Sequence, residues 1–149
     1  MRKRYPDRPR RQLTLGADSL IFRYQNPPLP ACDWMSISFD AWSKIKIVGR
    51  VPPELAGALV RTFGQEVLQH EYTPTRLKIK LQGQAWLPMG EKTVDSRILL
   101  LGMFQTLEEF GYSVYASIDQ ENGHDGTETD VLVVQRRKDW RPGMPIWHR

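Results

Sequence analysis

Cysteine is nearly absent from this chain of 149 residues, in which Cys32 is the only one. A single thiol cannot form an intramolecular disulfide, and a zinc site would need other kinds of ligand. Because small secreted domains usually depend on disulfides for stability, the composition favours an intracellular protein. We expect the cytoplasm or the nucleus as its compartment.

Long apolar segments are also missing. No part of the sequence reaches the roughly 18 to 20 apolar residues that are needed to cross a bilayer. The charged residues at the start, M-R-K-R-Y-P, are followed by no apolar segment of the kind that secretory signals contain. We therefore expect no membrane among the partners of this chain.

The short motifs that mark common enzymes and metal sites are absent as well. There is no G-x-S-x-G nucleophile elbow, no phosphate-binding loop and no glycine-rich dinucleotide turn. His70, His124 and His148 are dispersed without the spacing of metal ligands. Residues 119–130 are rich in oxygen ligands, but His124 stands where a calcium loop needs its sharp-turn glycine. We expect no catalytic residue, no cofactor and no metal, although an enzyme of unrecognised type is a third alternative.

The composition that is present is typical of a globular protein, with 40% hydrophobic and 26% charged residues. A chain of this length fits one domain, since domains usually have roughly 100 to 200 residues. Arginine and proline dominate residues 1–12, which indicates a basic, disordered arm. We predict a single domain over residues 13–137, followed by a basic tail with proline and tryptophan over residues 138–149.

The net charge of +4 is distributed unevenly along the chain. Residues 1–12 have a net charge of +5 and residues 136–149 have +4, which leaves −5 for residues 13–135. We therefore expect the basic character to lie in the two tails, with no basic face on the folded body. Any binding of a polyanion would then depend on the ends of the chain.

Hydrophobic spacing predicts the secondary structure. Period-two alternation, as in K-I-K-I-V and R-L-K-I-K-L, is typical of half-buried strands. It predicts strands at residues 19–25, 34–39, 44–48, 76–81, 112–118 and 130–135.

Two segments have helical spacing instead. In the first, which opens within residues 51–54 (V-P-P-E), an apolar residue recurs every four positions through Leu55, Leu59, Phe63 and Val67, with Leu68 widening the stripe. The second covers residues 91–110, is apolar over more than half of its girth and is therefore expected to be deeply buried. Gly111 stands where a helix C-terminal cap is expected.

The order β-β-β-α-β-α-β-β predicts an α+β domain. Its sheet is mixed or antiparallel, has about five to six strands and carries two helices on one face. Three prolines within residues 27–30 separate the strand at 19–25 from the rest. That strand could complete this sheet or pair with the edge of another copy, which would give a homodimer.

Several segments carry a resemblance to a known family. They are residues 32–39 (C-D-W-M-S-I-S-F), 78–86 (K-I-K-L-Q-G-Q-A-W), 94–97 (V-D-S-R), 111–119 (G-Y-S-V-Y-A-S-I-D) and 129–130 (T-D). From Trp34 to Trp140 the chain resembles an uncharacterised eukaryotic family of α+β units that sometimes occur in tandem. The resemblance implies the fold and its boundaries but no activity, and tandem use implies interaction modules.

Apolar residues in predicted loops and in the C-terminal tail indicate protein binding, since tryptophan and methionine are enriched at interaction surfaces. The candidates are Trp42, Trp86, Leu87, Met89, Met144 and Trp147. We interpret the chain as a non-catalytic protein-interaction module. Its partner is a protein, and an acidic one if the flanking arginines steer the encounter.

The alternative is binding of RNA or single-stranded DNA through the basic tails. The segment R-R-K-D-W-R mixes cations with an indole, and single-strand binders combine arginine–phosphate contacts with base stacking in the same way. The candidate residues are Arg2, Lys3, Arg4, Arg10, Arg11, Arg136, Arg137, Lys138, Trp140 and Arg141.

Overall fold

The computed structural model describes residues 24, 26–28, 30–40, 43–83, 92–120 and 129–146. Within these ranges the chain forms six strands and two α-helices. In chain order they are β1 (Cys32–Asp40), β2 (Lys44–Gly49), α1 (Pro53–Phe63), β3 (Val67–Thr73), β4 (Arg76–Leu81), α2 (Lys92–Glu109), β5 (Ser113–Gln120) and β6 (Thr129–Arg137).

The six strands form one sheet in the order β3-β4-β2-β1-β6-β5, and every neighbouring pair is antiparallel. This confirms the predicted α+β class and resolves the sheet as antiparallel. β1 and β2 form a hairpin. In the centre of the sheet β1 also pairs with β6, near the other end of the chain.

The buried side of the sheet is aliphatic because alternate side chains on a strand point to opposite faces. Met35 and Ile37 on β1 lie beside Ile45 and Ile47 on β2 and belong to the same core. β4 and β6 add four more side chains to this face: Leu77, Ile79, Leu81 and Val134.

Both helices pack on that face. Leu59 and Phe63 of α1, and Met103 and Leu107 of α2, belong to the same buried cluster as the inward strand residues. The helices also contact each other, and the hydroxyls of Thr62 and Thr106 form a hydrogen bond of 2.6 Å. The prediction of two helices on one face of the sheet is confirmed.

Gly111 ends α2, as predicted. Its φ is +84°, and the backbone N–H of Tyr112 donates to the carbonyl of Leu107 while the N–H of Gly111 donates to that of Glu108, which is the Schellman pattern. A Cβ at Gly111 would overlap the ring of Trp140. Glycine is therefore required both for the left-handed conformation and for this close contact.

The prediction that the apolar stripe of α1 continues through Val67 and Leu68 is wrong. Gly64 has a φ of +54° and its N–H caps the carbonyl of Val60, so the helix ends at Phe63. The chain then forms β3, an edge strand that the sequence interpretation missed. The prediction failed because Val67, the first residue of β3, lies four positions after Phe63 and so continues the helical spacing by coincidence.

The expectation that α2 is deeply buried is also wrong for one side of the helix. Ile98 is 61% exposed and Leu101 is 67% exposed, whereas Met103 and Leu107 are buried. Only part of the apolar surface of α2 faces the sheet and α1 in the part of the chain that the structure describes.

Other predictions fall wholly or mostly outside the described residues. Of the strand predicted at 19–25 only Tyr24 is described, and it is exposed without regular secondary structure. The boundaries of the basic arm and of the domain therefore stay predictions. None of the described helices is long and apolar enough to cross a membrane.

A matched pair of substitutions on α2 tests this packing. Leu107 is 2% exposed and Leu101 is 67% exposed. We expect Leu107→Ala to lower the free energy of unfolding by about 2 to 5 kcal/mol, because it leaves a cavity in the core. Leu101→Ala should change it by less than about 0.5 kcal/mol. Urea denaturation measures both, and equal effects would contradict the orientation of α2 described above.

Candidate functional site

The second face of the sheet, which we call the open face, carries no helix in the part of the chain that the structure describes. Its side chains are those that alternate with the buried ones on each strand. They divide into two regions. One is cationic and lies on β2 and β4, and the other is apolar and lies on β1, β6 and β5.

Four lysines define the cationic region, and we call them the lysine array: Lys44 and Lys46 on β2, and Lys78 and Lys80 on β4. In the register of the sheet Lys44 lies directly opposite Lys80, and Lys46 lies directly opposite Lys78. Directly opposed residues on antiparallel strands have Cβ atoms about 4.5 to 5.5 Å apart. The array therefore places two like-charged pairs side by side.

Like charges in directly opposed positions destabilise a sheet. The ion pairs within 4.0 Å among the described residues are Arg76–Glu71, Arg136–Asp33 and Arg137–Asp139, and none of them includes a lysine of the array. In the described part of the fold, none of the four lysines therefore has a carboxylate oxygen within 4.0 Å.

The array lines a groove with a volume of about 440 Å³. Two carboxylates border it: Asp40 lies opposite Lys44, and Glu71 lies opposite Lys78 in the register. Glu71 is held by Arg76 at 3.7 Å and is itself exposed. The groove is therefore positive at its centre and has acidic groups at two points of its rim.

The apolar region is centred on two aromatic rings. Trp34 and Tyr115 lie edge to face, with centroids 5.0 Å apart and an interplanar angle of 89°. Together with Ile118, Val131 and Val133 they form what we call the aromatic–aliphatic patch. Trp34, Tyr115 and Ile118 remain between 40% and 43% exposed although they are large and apolar.

A bulge in β5 helps to assemble this patch. The register between β5 and β6 shifts between Val114 and Ala116, so that Ala116 pairs with Val133 and Ile118 pairs with Val131. One extra residue, Tyr115, is accommodated at the shift. Bulges of this kind redirect side chains at sheet edges.

The two regions are connected through rows that run across the strands. Lys78 pairs with Lys46, Lys46 with Ser38, Ser38 with Val131, and Val131 with Ile118. Along this row the open face changes from cationic to small and polar, and then to aliphatic.

The expectation that the folded body has no basic face is therefore wrong. Residues 13–135 are acidic in total, but strand pairing collects four of their lysines on one surface. Alternation in K-I-K-I-V and R-L-K-I-K-L already placed these lysines opposite the buried residues. The sequence did not show that β2 pairs with β4. This pairing brings the two lysines of each strand together into one array.

Arg136, a candidate for nucleic-acid binding, lies in a structural cluster. Its guanidinium is 3.5 Å from the carboxylate of Asp33, donates to the carbonyl of Phe110 at 3.3 Å and lies 4.6 Å from the ring centroid of Tyr112. The register of β1 with β6 places Asp33 opposite Arg136. These contacts engage Arg136 within the protein.

The other nucleic-acid candidates near Arg136 are of two kinds. Some bond to groups within the protein, and the others are exposed. Arg137 forms two hydrogen bonds with Asp139, at 2.9 and 2.6 Å, and these bonds raise the pKa of Arg137 and lower the pKa of Asp139. Trp140 packs on Gly111 and donates from Nε1 to a backbone carbonyl at 3.2 Å. Lys138 and Arg141 are exposed.

Among the proposed partner-binding residues, the structure describes Met144. It is exposed, and its carbonyl accepts the hydrogen bond from the indole of Trp140. The remaining candidates of both kinds lie outside the described residues: Arg2, Lys3, Arg4, Arg10, Arg11, Trp42, Trp86, Leu87, Met89 and Trp147.

Metal-binding chemistry has no support among the described side chains, which contain no group of three or more His, Cys, Asp or Glu residues able to hold a metal. Most of the oxygen-rich loop at 119–130 lies outside the described residues. Burial raises the pKa of the Cys32 thiol, and this thiol donates to the carbonyl of Pro30 at 3.1 Å. A raised pKa lowers the thiolate fraction and hence the reactivity of the sulfur.

Comparison with known sequences finds a protein-domain family whose model matches residues 33–135. The chain belongs to this uncharacterised family. The matched range contains the lysine array and the aromatic–aliphatic patch, so both regions of the open face lie within the family's domain. Comparison with curated proteins finds no match.

The fold is also similar to that of a conserved kinetoplastid-specific protein from Trypanosoma cruzi. The two are 18% identical with a TM-score of 0.51, and the alignment covers 71% of this chain and 96% of that protein. A likeness at this level of identity shows a common fold and transfers no activity. It agrees with the predicted resemblance to an uncharacterised α+β family.

The cluster around Arg136 yields one prediction. The hydroxyl of Tyr112 is buried without a hydrogen-bond partner among the described residues, whereas that of Tyr72 donates to the carbonyl of Val51 at 2.9 Å. We expect Tyr112→Phe to leave the free energy of unfolding unchanged or to raise it by up to about 1 kcal/mol, because it removes an unpaired buried hydroxyl. Tyr72→Phe should lower it by about 1 kcal/mol.

The Tyr112→Phe variant also has a pH signature. Burial raises the pKa of Tyr112 above its usual value, 10.0, so the folded state holds this proton more tightly than the unfolded chain does. This contribution to stability is fully present below pH 10 and is lost as the pH rises further. Chemical denaturation between pH 8 and pH 11 should show a smaller loss for Tyr112→Phe than for the natural chain. An equal loss would contradict the assignment.

The lysine array yields a second prediction. Lys46→Glu replaces a like-charged pair with an opposite pair across from Lys78, so it should raise the free energy of unfolding by about 0.2 to 1 kcal/mol at low salt. Lys46→Gln should give a smaller gain, because it only removes the repulsion. Both gains should shrink at high salt, where exposed charges are screened. Destabilisation of both variants at low salt would show that the array carries no repulsive cost.

Proposed function

We propose that this chain is a non-catalytic interaction module whose open face binds an acidic segment of a protein partner. One observation carries the proposal. A lysine array that forms no ion pair within 4.0 Å among the described residues and an exposed aromatic–aliphatic patch lie side by side on a sheet face that no described element covers.

Energetics support this use of the face. An acidic partner would remove the repulsion within the array, so part of the binding free energy comes from relieving a cost that the free protein carries. The patch adds large apolar side chains that lose contact with water on binding. Departures from local rules of sheet stability are expected at functional sites, and tryptophan and tyrosine are enriched among residues that dominate binding energy.

Three features favour a protein partner over a nucleic acid. Asp40 and Glu71 lie at the rim of the groove and would repel the phosphates of a nucleic acid, which follow one another without a gap, whereas a peptide can place uncharged side chains beside these carboxylates. Trp34 and Tyr115 lie edge to face against each other, an arrangement that offers less free ring surface for base stacking than two separate rings would. The cations are also confined to one end of the face.

The basic segments at both ends of the chain make a second, weaker contribution to binding of the acidic partner. Residues 1–12 carry a net charge of +5, which attracts an acidic partner over distances of about a Debye length, roughly 8 to 10 Å. A role of this kind changes the association rate more than the final affinity. The proposal places the protein in the cytoplasm or nucleus, and eukaryotic relatives with tandem units would suit a binding module.

The alternative proposal is binding of RNA or single-stranded DNA through the tails. Lys138 and Arg141 favour it, because both are exposed and flank the indole of Trp140. Arg136 and Arg137 contribute less to this alternative, since Asp33 and Asp139 hold them in ion pairs.

The test uses fluorescence anisotropy of a labelled oligoglutamate peptide with two variants of equal charge change. Lys46→Gln with Lys78→Gln should weaken binding roughly 2- to 30-fold at low salt, since two exposed ion pairs are lost and each contributes about 0.2 to 1 kcal/mol. The matched control, Lys138→Gln with Arg141→Gln, leaves Trp140 in place and should change binding by less than about twofold.

The same variants are titrated with single-stranded RNA. If the peptide fails to bind, or if only the control variant loses peptide binding, the open face is not the binding surface. RNA binding that withstands physiological salt and is lost in the control variant would replace the proposal with its alternative.

A further inference from the structure

The register of the sheet makes the proposed partner more specific. We infer that it is an extended polypeptide segment lying across the strands, with acidic side chains over the lysine array and an apolar side chain about four residues away over the aromatic–aliphatic patch. This inference rests on the proposed function and adds the order, spacing and direction of the recognised groups.

The direction follows from how the two regions are arranged. A segment running along β2 would meet Lys44 and Lys46 but would stay away from Tyr115 and Ile118. A segment running along β6 would meet Val131 and Val133 but no lysine of the array. Only a segment that crosses the strands contacts both regions.

The spacing follows from the sheet order. The lysine array is centred between β4 and β2, and the aliphatic part of the patch is centred between β6 and β5. These two centres are three strand intervals apart, which is about 14 Å at roughly 4.8 Å per interval. An extended chain advances about 3.3 to 3.6 Å per residue, so about four residues bridge the gap.

Small side chains line the part of the open face that the bound segment would cross between the lysine array and the aromatic–aliphatic patch. Ser36 and Ser38 on β1 separate the array from the patch, and Ala116 lies in the neighbouring row on β5. These side chains are short, so the face is low over the Ser36–Ser38 part of β1, beside Trp34. A backbone can therefore pass between the lysines and the aromatic rings, and the residues that bridge the gap need no charge of their own.

A family of labelled peptides tests the spacing. Each carries a Glu-Glu block and a Leu-Leu block whose centres are two residues apart without a spacer, or about four or about eight residues apart with a Gly-Ser spacer that is named by this distance. Both chain directions are made, and an acid-only peptide serves as reference. The full chain is titrated by fluorescence anisotropy. We expect the four-residue spacer to bind on the order of tenfold more tightly than the acid-only peptide, because both blocks then reach their sites.

The other two peptides define the geometry. Without a spacer the blocks cannot both reach their sites, so the affinity should fall to about that of the acid-only peptide. The eight-residue spacer should lose only about threefold relative to the four-residue spacer, since the cost of closing a flexible linker grows slowly with length.

Matched variants assign the contacts to the two regions. Ile118→Ser should cancel the advantage of the four-residue spacer and leave binding of the acid-only peptide unchanged. Leu101→Ser replaces another exposed apolar residue, on α2, and should alter neither. Lys46→Gln with Lys78→Gln should weaken every peptide.

The outcomes separate this inference from the proposed function. If the acid-only peptide binds through the lysines and the distance between the two blocks does not change the affinity, the proposed function holds and the inference about the extended segment is wrong. An Ile118→Ser variant that keeps the full advantage of the spacer would also overturn the inference. If a single-stranded oligonucleotide displaces every peptide and binds this face more tightly, both are overturned.

Discussion

The apolar side chains of β1, β2, β4 and β6 face α1 and α2 within one continuous core. Because both helices use the same face of the sheet, all of this burial is one-sided, and the alternate residue of each strand points away from the core. Those outward positions are released from the need to be apolar. The fold tolerates the lysine array because burial of apolar side chains on the opposite face stabilises the sheet. Ile45, Ile47 and Ile79, which alternate with these lysines on β2 and β4, are all buried in that core.

The parts of the fold that could be predicted from sequence are those where local patterning and tertiary packing agree. K-I-K-I-V and R-L-K-I-K-L alternate cleanly because each strand has one buried face, and Gly111 follows the long helix where a left-handed cap is needed. β3 could not be found in this way. Most of its residues are exposed, so it has no buried side to impose alternation, and Val67 happens to continue the spacing of α1.

The candidate site was harder to predict than the fold, for a related reason. Each lysine of the array was visible as an outward residue, but a charge cluster depends on which strands become neighbours, and that is decided by long-range pairing. The net charge of residues 13–135 is negative and therefore predicted no basic face, because a sum over many residues does not show a local excess of lysine. Arg136 was misleading in the same way: its basic neighbours in sequence indicated a tail, while its partner Asp33 lies across the sheet on β1.

The pairing of β1 with β6 has a consequence for how the chain folds. Met35 and Val134 are partners in the sheet although they are about 100 positions apart in sequence, and contacts of such separation slow folding. During synthesis from the N-terminus, β1 to β4 are complete well before β6 emerges. The cationic half of the sheet can assemble early, with β1 as a temporary edge strand that exposes Trp34. Closure of the seam between β1 and β6 is then the late event that protects this edge and completes the domain.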